Sequence, residues 1–173
     1  MPQPRRFRLA LAAALLVAVP SAALSACSAG SDAETLLIRP DTPETTLGAL
    51  KVQDVLLVTG PEGGGGPLAV VASVYNGGAA TDRLELISVN ELPQNAAITP
   101  APNRPQLQIP QGQTLTVGGP GNTTAVLQNP DNIVRAGDTR LVTFRFAQSG
   151  VVTLWVPVQP AVGYLQGYGP GGS

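Results

Sequence analysis

The sequence predicts an all-β domain of the β-sandwich class, preceded by an export signal. Three observations carry the fold class. No segment between residues 52 and 158 keeps a helical apolar period; short apolar runs recur there between glycine and proline; and the clearest runs alternate residue by residue. Short strands spaced by turn residues are the pattern of two packed antiparallel sheets.

The chain begins with Arg5, Arg6 and Arg8, then an apolar run over residues 9–19, then Leu24-Ser25-Ala26-Cys27. The arginines are held on the cytoplasmic side by the membrane potential and anionic headgroups. Eleven apolar residues fall short of the roughly 20 that a spanning helix needs. Small residues before Cys27 let a peptidase approach the backbone. The segment resembles the bacterial lipoprotein lipobox, whose cysteine takes a diacylglyceryl group and becomes the first residue after cleavage. The resemblance implies a signal peptide over residues 1–26, lipidation at Cys27, and a domain anchored to the extracytoplasmic face of the cell membrane. Two acyl chains anchor stably where one does not.

Removing residues 1–26 leaves 147 residues with seven basic and eleven acidic side chains. That length suits one domain with a core, and a mildly acidic chain without a basic cluster argues against nucleic acid as a partner. The chain has no histidine, Met1 is its only methionine, Cys27 its only cysteine and Lys51 its only lysine. The usual general base, the soft-metal ligands and a free thiol nucleophile are therefore missing from the domain. No catalytic residue, cofactor or metal ligand is expected.

Along the chain, residues 27–50 read as a flexible tether, small at Ser28-Ala29-Gly30-Ser31 and interrupted by Pro40 and Pro43. Residues 51–159 form the predicted sandwich. Residues 52–59 are its first strand, followed by a loop with Gly63 to Gly66. Residues 68–75 are apolar on both faces, as in a central strand. Asn76-Gly77-Gly78 is a turn signal, and residues 83–89 return as a strand. Residues 90–105, with four prolines, are predicted irregular. Residues 106–109, 114–117 and 124–127 are shorter strands. Residues 140–146 alternate, with Val142, Phe144 and Phe146 on one face; Gln148-Ser149-Gly150 turns the chain, and residues 151–158 run back. Phe144, Phe146, Val152 and either Leu154 or Trp155 should fill the core. Residues 160–173 read as a mobile glycine-rich tail whose Tyr164 and Tyr168 could dock on the domain.

Leu68-Ala69-Val70-Val71-Ala72-Ser73-Val74-Tyr75-Asn76-Gly77-Gly78 with Asp82-Arg83-Leu84, then Ile109-Pro110-Gln111-Gly112-Gln113-Thr114-Leu115, then Ala136-Gly137-Asp138-Thr139 and the closing hairpin, follow one another in a familiar order. Together they resemble the periplasmic copper chaperones that serve the CuA site of cytochrome oxidase. The resemblance implies a cupredoxin-like, or immunoglobulin-like, β-sandwich. It also implies Cu(I) ligands at a His-x-Met pair after a Pro-Gly turn, and a further His and Met upstream. Aligning that turn to Pro120-Gly121 puts Thr124 and Val126 at the first pair, and Asn95, Ala97, Thr99 and Asn103 in the upstream region. Cu(I) selects thioether, thiolate and imidazole, so fold and function separate here.

Other candidates read as structural. Asp131 and Asp138 lack the dense oxygen set of a Ca²⁺ loop. Asp82-Arg83 reads as a turn and a surface charge. Asn122-Thr123-Thr124 matches a glycosylation sequon, and Gly63 to Gly66 lack the Lys-Ser/Thr of a phosphate loop. Trp155 reads as core rather than as a ligand platform. The expected function is a lipid-anchored, non-catalytic binding or accessory module for an envelope protein or envelope component. The alternatives are a divergent copper chaperone that borrows ligands from a partner and, remotely, an enzyme working without histidine.

Overall fold

A computed structural model describes residues 43–171. The signal peptide, Cys27 and most of the expected tether lie outside the described residues. Ten strands form the domain: β1 (Thr45–Leu47), β2 (Leu50–Thr59), β3 (Leu68–Asn76), β4 (Asp82–Val89), β5 (Ala97–Thr99), β6 (Gln108–Ile109), β7 (Thr114–Val117), β8 (Thr124–Leu127), β9 (Thr139–Phe146) and β10 (Gly150–Pro160). The all-β class expected from the sequence is the one observed. The strands make one curled sheet ordered β5-β8-β3-β2-β10-β9-β4-β6, with β1 added on β2 and β7 on β3.

The curl comes from β10, which pairs antiparallel with β9 from Gly150 to Pro157 and parallel with β2 from Val158. One strand thus serves both layers, and the apolar side chains between them form the core. Phe144, Leu57, Leu68, Leu84, Ile87 and Ile109 are among its largest fully buried members. Phe144 and Phe146 lie near-parallel with centroids 6.5 Å apart, within the range of favourable aromatic contact. Two bulges bend the strands, one between Gln53 and Leu56, with Asp54 at φ 54°, and one between Leu84 and Leu86.

The closing hairpin settles the choice between Leu154 and Trp155. Leu154 stands opposite Val142 and Trp155 opposite Leu141, and cross-strand partners share a face. Val142 is fully buried, so Leu154 turns into the core, while Trp155, which the sequence reads as core, is instead left 63% exposed. Val152, opposite Phe144, packs against the core only in part.

Several boundaries differ from the sequence expectation. Within the expected tether, Thr45–Leu47 forms β1 and turns at Gly48, φ 59°, straight into β2, whose first residue Leu50 is buried. A two-residue hairpin with glycine leading suffices for this. The stretch expected to be irregular contains β5, held by its ladder to β8. Past β10 the chain does not simply leave the domain. A 3-10 turn at Gly163–Leu165 buries Leu165 against Leu56, Val58 and Ala69 on the outer side of β2 and β3, and Tyr168 packs on the same cluster.

Candidate functional site

β5 and β8 pair antiparallel, Ala97 opposite Val126, Ile98 opposite Ala125 and Thr99 opposite Thr124. Ala125 is buried and Ile98 packs against the core, so by alternation the other four side chains share the outer face. Thr124 and Val126 are the positions that the resemblance marks for one copper-ligand pair, and Ala97 and Thr99 belong to the upstream region where it implies the others. The fold therefore assembles Ala97, Thr99, Thr124 and Val126 into one two-by-two patch. Asn95 and Asn103 are not part of the ladder; Asn103 borders a separate groove with Arg104, Pro105 and Gln106.

The patch is supported from below and from one side. Thr123, buried beside it, accepts a hydrogen bond from the Ala101 N–H at 3.3 Å, fixing the chain that follows β5. The loop before β8 presses on β3, because Gly118 N–H donates to Thr123 O at 2.7 Å and a Cβ at Gly118 would meet Val71 at 2.9 Å. Beside Thr124 and Val126, a cavity of about 120 Å³ is closed by Gly118, Gly119 and the tail from Tyr168 to Gly171. The Tyr168 ring fits Gly119 closely, since a Cβ there would stand 2.8 Å from Cε1. Tyr168 is thus docked, whereas Tyr164 is 78% exposed and donates only to Gln159 Oε1.

These donors do not suit Cu(I). Threonine hydroxyls, an alanine methyl and a valine isopropyl supply neither sulfur nor imidazole nitrogen. Among the described residues no three His, Cys, Asp or Glu side chains cluster as a metal site. Asp138 is engaged, its Oδ2 accepting from Arg140 at 2.8 Å and from the Arg135 N–H at 2.9 Å. Asp131 is an exposed turn residue at φ 54°. In the glycine loop, the Gly65 N–H donates to Asn132 Oδ1 at 2.6 Å, and a strand rather than a helix follows. In the sequon, the Asn122 side chain donates to Gly118 O.

Sequence reading missed two buried polar anchors. Asp82 was expected at the surface, but it is 3% exposed. Its carboxylate accepts from the N–H groups of Arg83 (2.7 Å), Gln148 (2.9 Å) and Ser149 (3.0 Å), tying the start of β4 to the β9–β10 turn. Burial alone would raise its pKa, but the Ser149 side chain and these backbone donors outweigh burial and hold the carboxyl below its ordinary range. Arg83 is at the surface as expected, paired with Glu85. Asn76 is equally buried; its Nδ2 donates to Ala80 O and Ile109 O, both at 2.8 Å, and its Oδ1 accepts from Gly78 N–H. Asn-Gly-Gly, Asp-x-Leu, Ile-Pro and Ser-Gly are thus the pieces of two clamps. They hold the scaffold and supply nothing to the patch.

No protein-family model matches the chain, and no curated protein is similar to it in sequence. Solved structures do match. The copper-bound PCuAC domain from PmoF2 superposes with a TM-score of 0.57 at 20% identity, covering 68% of this chain and 98% of that domain. The apo PCuAC domain from PmoF1 gives 0.58 at 24% identity over 68% and 99%. The apo PmoF2 PCuAC domain gives 0.58 at 20% identity over 70% and 98%. The domain is a cupredoxin-like β-sandwich that resembles periplasmic copper chaperone domains. At this identity the likeness concerns the fold.

Proposed function

We propose that this chain is a lipid-anchored, extracytoplasmic, non-catalytic binding or accessory module of the bacterial envelope, built on a copper-chaperone scaffold that does not itself carry copper. Four side chains support the reading. Ala97, Thr99, Thr124 and Val126 meet on the outer face of β5 and β8; the resemblance implies one ligand pair at Thr124 and Val126 and others in the region that includes Ala97 and Thr99, and none of the four offers a soft donor. An envelope protein or envelope component is the partner, and Cys27 holds the module at the membrane. The test is a Cu(I) titration of the purified chain against a colorimetric chelator. The parent protein should leave the chelator's copper untouched. Stoichiometric uptake by the protein alone would overturn the reading, and uptake only in a membrane extract would favour ligands borrowed from a partner.

A further inference from the structure

The layer of β4, β9 and β10 turns one face to the core and the other outward. Alternation puts Val151, Thr153 and Trp155 of β10 on the outward face, opposite Arg145, Thr143 and Leu141 of β9. Leu86 of β4, opposite Arg145, widens the apolar part. The solvated face of an antiparallel layer is ordinarily polar, yet Val151 and Trp155 are 54% and 63% exposed. None of these positions carries a carboxylate, in a chain whose acidic residues outnumber its basic ones. Charge gathers at one end of the face. Arg145 stands 3.6 Å from Glu85, which sits in the β4 bulge, and Arg83 pairs with the same carboxylate at 3.0 Å. One acid thus answers two cations.

We propose that this face lies on the membrane: its partner is a bilayer with anionic headgroups, with Trp155 and Val151 settled at headgroup depth and Arg83 and Arg145 on lipid phosphates. Three features favour a lipid surface over other occupants. Tryptophan is amphipathic and collects at membrane–water interfaces. Apolar area combined with cations is what binds a protein surface to anionic lipid, and this face offers both. The third feature is the route of the chain. β1 lies against β10 and begins at Thr45, so the chain coming from Cys27 joins the domain next to this face. Residues 28–44 span about 60 Å at most, which keeps the domain beside the bilayer. A contact too weak to recruit a free protein is then made at high local concentration. The inference rests on the anchored reading for this geometry, and the test separates the two.

Trp155 is the only tryptophan of the chain, so its fluorescence reports the contact directly. The purified full-length protein is combined with vesicles of phosphatidylcholine, with or without phosphatidylglycerol, some of the lipid being brominated near the headgroup. With phosphatidylglycerol at low salt, emission should shift to the blue and be quenched by the brominated lipid. Both effects should fade at high salt, which screens the cations. Arg145→Glu should lose most of the quenching. Thr153→Lys, which adds a cation at the centre of the face, should increase it, a gain that damage to the fold cannot produce. Failure of the anchor alone reads differently: the protein leaves floated vesicles at high salt, while quenching at low salt persists. Emission unaltered by anionic vesicles, or indifferent to both substitutions, would overturn the proposal. So would a Trp155 shielded in native membranes but not on lipid vesicles, which would give the face to a protein partner.

Discussion

Thr99 and Thr124 stand opposite one another across the β5–β8 ladder, and Ala97 and Val126 repeat the relationship two residues along. Opposed Cβ atoms in such a pair lie about 4.5–5.5 Å apart, close enough for two donors to share one ion.

Soft donors placed in that patch should therefore create copper binding. Thr99→His, Thr124→His and Val126→Met together, with Ala97→Met as a fourth change, are expected to give a chain that takes up Cu(I) where the parent takes none. Chelator competition and X-ray absorption at the copper edge would check this. No gain would mean that the patch is not shaped as a ligand set.

The Asp82 clamp predicts a stability loss with a defined pH dependence. Asp82→Ala removes the acceptor of three part-buried N–H donors and should cost about 1–3 kcal/mol at neutral pH. Because folding lowers the carboxyl's pKa, its contribution is complete above the ordinary aspartate value of about 3.9 and is lost as pH falls through the lower folded value. Urea unfolding should show the parent losing its advantage over Asp82→Asn across that acid range.

Gly119→Ala should loosen the tail. Its Cβ would stand 2.8 Å from the Tyr168 ring at a φ of 80°, a conformation that costs a side chain about 1–3 kcal/mol. Faster amide exchange at Leu165 and Tyr168, with β2 and β3 unchanged, is the expected result.

Cys27→Ala should move the protein from the membrane fraction to the soluble extracytoplasmic fraction. Continued membrane association of that variant would remove the lipid anchor from the proposed function.

Much of this fold is legible in the sequence because its long strands alternate and its turns carry glycine. Phe144 and Phe146 lie as the pattern requires, and β7 and β8 have the expected bounds. The rest depends on neighbours. β1 and β5, three residues each, are too short to show a period and exist only through their partners. Trp155 and Leu154 are both apolar, so only the register fixed by the turn at Gly150 tells them apart. Asp82 looks like any surface acid until the β9–β10 turn folds over it. The patch on β5 and β8 is visible in the sequence only through the resemblance, since two threonines, an alanine and a valine announce no chemistry.

The parallel pairing of β2 with β10, Leu57 beside Val158, ties the first long strand to the last. Contacts so distant along the chain form late and slowly. The two layers cannot be closed until β10 is available, so a chain being made or threaded from its N-terminal end stays an incomplete sheet until that strand emerges. Truncation before β10 would then leave an open, unfinished edge on both β2 and β9 rather than a smaller domain, and the timing of folding belongs to β10.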